Sequence, residues 1–132
     1  MELIIELSSR SGHVLERHIL KGERISIGRA YNNDLILSDE TVDPRHVDIH
    51  EDENGQIIIT DLESVNGIRN KKHKKLGQEI ILNSGDEYLL GKARLRIFTS
   101  DHPVSDTISL NNVDSVIGVF SGNWVSLIEQ NM

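Results

Sequence analysis

Hydrophobic residues along this chain recur mostly in short bursts at every second position, separated by polar turns. In RISIG (Arg24–Gly28), Ile25 and Ile27 share one face, and a period of two marks a half-buried strand. ARLRIF (93–98) sets Leu95 and Ile97 against Arg94 and Arg96. HVDIH (46–50) puts Val47 and Ile49 on one side, and His46, Asp48 and His50 on the other. ELIIEL (2–7), HVLERHIL (13–20), IIITDL (57–62), EIIL (79–82) and EYLLG (87–91) are further β-rich runs. LIL (35–37) is too short to stand alone. Between the runs lie SSRSG, NSGD and the pair Asn54-Gly55, a strong hairpin signal. Many short strands joined by Gly, Asn and Asp turns predict an all-β sandwich. There is no internal repeat and no heptad pattern.

After Phe98 the pattern changes. The expected layout is a sandwich over 1–98, a polar linker over 99–112 and an amphipathic segment over 113–132. In the last, Val113, Val116, Ile117, Phe120, Trp124, Leu127 and Ile128 fall at helical spacing. Asn112 suits an N-cap, and Asp114 suits the first turn. Gly118 and Gly122 each cost about 1 kcal/mol relative to alanine, so a helix here needs a surface to dock on. That surface is the parent sandwich, another chain or a membrane. The expectation is disorder in isolation and a helix only when packed on a partner, a second copy or a membrane.

Composition narrows the function classes. The chain has 132 residues, enough for one domain with a core. Only 4% are aromatic, so that core must be built from Ile, Leu and Val. A net charge of −7 argues against general affinity for nucleic acid. The absence of cysteine excludes disulfides and cysteine-based zinc sites and fits a reducing compartment. MELIIELSSR lacks the basic n-region of a signal peptide, and no run of 18 apolar residues is present. The charge is segregated: residues 34–63 hold ten acids and one base, whereas RNKKHKK (69–75) carries five bases. These are either two solvated surfaces or a basic cluster beside a ligand site that attracts an acidic partner.

The common catalytic motifs are missing. There is no G-x-S-x-G, G-x-x-x-x-G-K, G-x-G-x-x-G or H-E-x-x-H. His46, Asp48 and His50 on one strand face offer a metal-dependent enzyme as an outside reading. That reading lacks an activated nucleophile or a matched acid–base pair. No cofactor is implied.

A stronger signal is an ordered series: IGR (27–29), NNDLIL (32–37), VDPRHVDI (42–49), DLESVNG (61–67) and LNSGDEYLLG (82–91). The series resembles the forkhead-associated (FHA) domain family, whose pattern is G-R, S-x-x-H, D-x-S/T-x-N-G, then G-D before a late strand ending in Gly. The resemblance covers roughly residues 3–98. It implies an eleven-stranded β sandwich whose loops at one end bind phosphothreonine peptides. Arg29 then matches the arginine that grips phosphate, His46 a structural histidine tying the loops together, and Asn66 the residue that bonds the partner's backbone. Gly28 and Gly67 are structural in the same pattern, Gly67 supplying a tight turn at positive φ.

Two positions depart from the family. Asp43 stands where a phosphate-binding serine is expected, and Val65 stands where many members have a threonine. Ser64 lies one position earlier, where the family serine supports the loop, and Pro44 removes a backbone donor. A hydrogen bond to a charged group contributes about 1.5–3 kcal/mol, and two are lost. A carboxylate about 5 Å from a phosphate charge adds roughly 2–3 kcal/mol of repulsion. A micromolar phosphate site would thereby become weaker than millimolar, at about 5 kcal/mol. Alternatively, Asp43 pairs with Arg29 or Arg45 and closes the site internally. The expected function is a non-catalytic interaction module, independent of phosphate, that binds a protein partner through Arg29, Asp43, Arg45, Ser64 and Asn66. The competing reading is a working phosphothreonine reader in signalling or secretion, with Lys71 to Lys75 compensating. The expected location is the cytoplasm, or the cytoplasmic part of a protein attached to a membrane through a C-terminal part beyond this sequence.

Overall fold

The computed structural model describes residues 1–100 as two stacked five-stranded sheets. The strands are β1 (Glu2–Ser8), β2 (Val14–Lys21), β3 (Arg24–Gly28), β4 (Leu35–Ile36), β5 (Val47–Glu51), β6 (Ile57–Asp61), β7 (Ile68–Asn70), β8 (Glu79–Ile81), β9 (Glu87–Leu90) and β10 (Ala93–Thr99). One sheet runs β2-β1-β10-β9-β7 and the other β4-β3-β5-β6-β8. The linker and amphipathic-segment expectations fall outside the described residues, and β10 runs one residue past the expected boundary at Phe98.

The period-two pattern builds the core. Leu3 and Ile5, Ile25 and Ile27, Val47 and Ile49, and Leu95 and Ile97 are all buried between the sheets. Register follows, because a one-residue slip would turn each of these pairs to solvent. β3 pairs β5 with Ile25 opposite Ile49 and Ile27 opposite Val47, so both rows face the same core. The Asn54-Gly55 signal is a real reversal, although wider than two residues. Asp52 accepts the Asn54 and Gln56 amides through its carboxylate, and Gly55 adopts φ +83°.

Ten strands form among the described residues, against the eleven implied by resemblance. The strand Ile68–Asn70 was not expected, because it contains a single apolar residue and follows a turn. Its order comes from across the sheet, where Ile68 opposes Leu90 and Asn70 opposes Tyr88. Leu35–Ile36, too short alone, is held in parallel against Ile27 and Gly28. That pairing brings the connection between β3 and β4 to the same end of the sandwich as the chain entering β5.

Candidate functional site

Four connections meet at one end of the sandwich, and the segment 39–46 ties them together. Asp39 starts it: its carboxylate accepts the Thr41 amide at 2.8 Å and the Thr41 hydroxyl at 2.6 Å. The next four carbonyls are each used. Thr41 accepts from Asn66 Nδ2 at 2.7 Å, Val42 from Arg29 Nε at 3.0 Å, Asp43 from the Arg29 amide at 2.9 Å, and Pro44 from the Ala30 amide and Asn33 Nδ2. The Thr41 hydroxyl also accepts the Lys92 amide at 2.7 Å, which fastens the β9–β10 turn. Gly28 must be glycine here, since a Cβ would overlap the Pro44 carbonyl.

His46 fastens the second loop. Its side chain is fully buried. Nδ1 accepts the Asp43 amide at 3.1 Å, and Nε2 donates to the Gly67 carbonyl at 2.9 Å, which fixes the Nε2–H tautomer. Gly67 sits at φ +67°, the left-handed turn expected of it. Ser64 is consumed within the same loop: its hydroxyl donates to Asp61 at 2.5 Å and accepts the Gly67 amide at 2.8 Å. Its hydroxyl thus braces the loop.

The alternative, an internal pairing of Asp43 with Arg29 or Arg45, is not what forms. Asp43 instead accepts the Val65 amide, at 3.4 and 3.3 Å to its two oxygens. Arg45 turns to Asp48 at 3.3 Å, on the side of β5 where Arg24 lies 3.6 Å from the same carboxylate. Those two arginines cover Asp48, which is why a charged residue is nearly buried at mid-strand. The structure thus brings Arg29, Asp43 and Asn66 together and leaves Arg45 on the flank. The metal reading is corrected as well. Both His46 nitrogens are occupied and Asp48 is ion-paired, so His46, Asp48 and His50 do not form a ligand set.

Arg29 is exposed, tethered only through Nε and its amide, and both terminal nitrogens remain available. Two large side chains in the connections at this end stand in solvent, Tyr31 at 92% exposure and Val65 at 82%. Tyr31 was missed in the sequence, although a lone aromatic in the polar run GRAYNND is a signal in so aromatic-poor a chain. Thr41 and Lys92 were missed too, because their bond spans 51 positions. The surface on offer combines a guanidinium, a carboxylate, the Asn66 amide oxygen, the Tyr31 phenol and the apolar Val65 side chain.

The Asp39 carboxyl is held below its ordinary value of 3.8, first by the Thr41 hydroxyl and against the opposing effect of burial. A depressed acid stabilises the fold above its unfolded pKa, and that stability is lost as pH falls through the lower folded value. Thr41→Val removes the hydroxyl that bonds Asp39 and Lys92. It should cost about 1–3 kcal/mol at neutral pH and flatten the acid limb of stability, as urea melts across pH 7 to about 3 would show.

Comparisons with known proteins agree with this fold. A family model described as "Inner membrane component of T3SS, cytoplasmic domain" matches residues 12–101. An oxoglutarate dehydrogenase inhibitor of Corynebacterium jeikeium is 32% identical over 94 residues, covering 70% of this chain. The chain spans about 60% of the length of that relative. Among solved structures, one from a study of phosphothreonine-dependent FHA domain interactions superposes with a TM-score of 0.63 at 27% identity. It covers 79% of this chain and 100% of its own. The FhaA FHA domain, solved with the intracellular domain of Rv3910, gives 0.59 at 27% identity over 72% of this chain and 98% of its own.

The two-sheet sandwich with its loops tied at one end is an FHA-type protein-interaction module, non-catalytic in kind. The chain belongs to the family of T3SS inner-membrane-component cytoplasmic domains.

Proposed function

We propose that this module holds a protein segment across Arg29, Asp43, Val65 and Asn66 without requiring a phosphate on it. The observation that carries this reading is the Asp43 carboxylate, which bonds the Val65 amide between the two recognition loops. A phosphate placed there meets a fixed negative charge, and the amide it would need already has an acceptor. Ser64, the nearest hydroxyl in that loop, is spent on Asp61 and Gly67. Tyr31 and Val65 add apolar contact that any peptide can use, whatever its modification.

A second reading is favoured by the free terminal nitrogens of Arg29 and by the phosphothreonine dependence of the FHA interactions studied with the related structure. In it, Arg29 supplies a bidentate phosphate contact that outweighs Asp43. The family description further supports a place in the cytoplasm, as the cytoplasmic part of a membrane-attached assembly in secretion or signalling. Selection from a degenerate phosphothreonine peptide library, run beside its unphosphorylated twin, separates the two readings. Equal recovery from both supports phosphate independence. Enrichment from the phosphorylated library alone, lost in Arg29→Ala, supports the second reading and overturns the first.

A further inference from the structure

Adjoining Asn66 is a cavity of about 550 Å³ whose charge is opposite to that of the chain. Arg10, Arg69, His73, Lys92 and Arg94 line it, and none of its lining residues is acidic. Thr41 and Asn66 belong to the same lining, so the cavity is continuous with the loop end. The chain as a whole carries −7, which makes an acid-free basin of basic side chains a local feature of the fold.

Of the cations in it, Arg94 alone is ion-paired among the described residues. Arg94 bonds Glu87 at 3.1 Å. Arg10, Arg69 and Lys92 have no ion pair among the described residues. Arg69 is nevertheless positioned: its Nη1 donates to the His73 carbonyl at 3.0 Å. His73 presents that carbonyl from φ +68°, a backbone region that β-carbon-bearing residues rarely occupy. The conformation is fixed locally, since the Asn70 side chain accepts the Lys72 and Lys74 amides and the Asn70 carbonyl accepts the His73 amide. Lys92 is fixed through its amide to Thr41. Like charges gathered on ordered backbone repel one another, and an external anion relieves that repulsion.

We infer that this basin is a second binding site, which takes an acidic stretch of the peptide lying across the loop end. This rests on reading the loop end as a peptide surface, and it adds the partner's chemistry. The volume selects a segment over a lone oxyanion, because cavities of a few hundred Å³ accommodate ligands of many atoms. Arginine suits the role, since its fork meets carboxylates with two parallel hydrogen bonds. The sequence feature RNKKHKK is thereby divided: Arg69 and His73 face the basin, whereas Lys71, Lys72 and Lys74 are exposed on the β7–β8 connection.

Fluorescence anisotropy with a labelled hexaglutamate peptide tests this, with hexaglutamine as the neutral twin. Hexaglutamate should bind saturably and hexaglutamine should not. Arg10→Gln with Arg69→Gln and Lys92→Gln should weaken binding at least about tenfold, whereas Lys71→Gln with Lys72→Gln and Lys74→Gln should change it less than about twofold. Arg10→Gln alone, in the exposed β1–β2 turn, should give a measurable part of the loss if the triple variant fails to fold. Equal weakening by the two triple variants would mean diffuse attraction and overturn the basin. Inorganic phosphate competing as strongly as hexaglutamate would also overturn it, in favour of an oxyanion site. A phosphate-dependent loop end would leave all these results unchanged, so the two readings fail separately.

Discussion

His46→Ala should lower the melting temperature by about 10–20 °C while leaving bound metal content unchanged. The imidazole is fully buried and bridges the Asp43 amide to the Gly67 carbonyl, two backbone groups 24 positions apart. Deleting it strands both groups away from water and opens a void between the loops. Each unsatisfied buried group costs about 1–3 kcal/mol, and the void adds to that. One kcal/mol shifts the melting point of a domain this size by roughly 4–8 °C. Loss of stoichiometric zinc or nickel with an unchanged melting curve would instead make His46 a metal ligand.

The second large effect is a gain. Asp43→Ser with Val65→Thr should create phosphothreonine dependence of about 100-fold, equivalent to roughly 2.7 kcal/mol. The double change removes a negative charge, frees the Val65 amide from its carboxylate acceptor and adds two hydroxyl donors beside Arg29. Asp43→Ser alone should give part of the gain, because it removes the repulsion and the competing acceptor together. Isothermal titration with a phosphothreonine peptide and its unmodified twin measures the difference. A folded double variant that shows none would mean that loop geometry, not charge, keeps phosphate out.

The strands were legible where alternation was clean. Ile25 with Ile27, Val47 with Ile49, and Leu95 with Ile97 named the core before any contact was known. Ile68–Asn70 was illegible because its strand character resides in Leu90 and Tyr88 on the neighbouring strand. The order of the motifs placed Arg29, His46, Asn66 and Gly67 beside turns, and the structure brings those turns to one end of the sandwich. The partner of Asp43 was illegible for a different reason. Its carboxylate could reach several donors, and only the approach of a loop 22 positions away selects the Val65 amide over two arginines. The same limit hid Thr41, whose hydroxyl joins Asp39 to a turn on the other sheet.

Phosphate independence is tested most directly by the ratio of two dissociation constants for the unaltered protein. One peptide selected from the unphosphorylated library is titrated with its threonine free and again with it phosphorylated, under the same salt. Asp43 at the Val65 amide predicts a ratio within about threefold of unity, or weaker binding of the phosphorylated form. Phosphorylated peptide binding at least about thirtyfold more tightly, with the advantage abolished by Arg29→Ala, would contradict it.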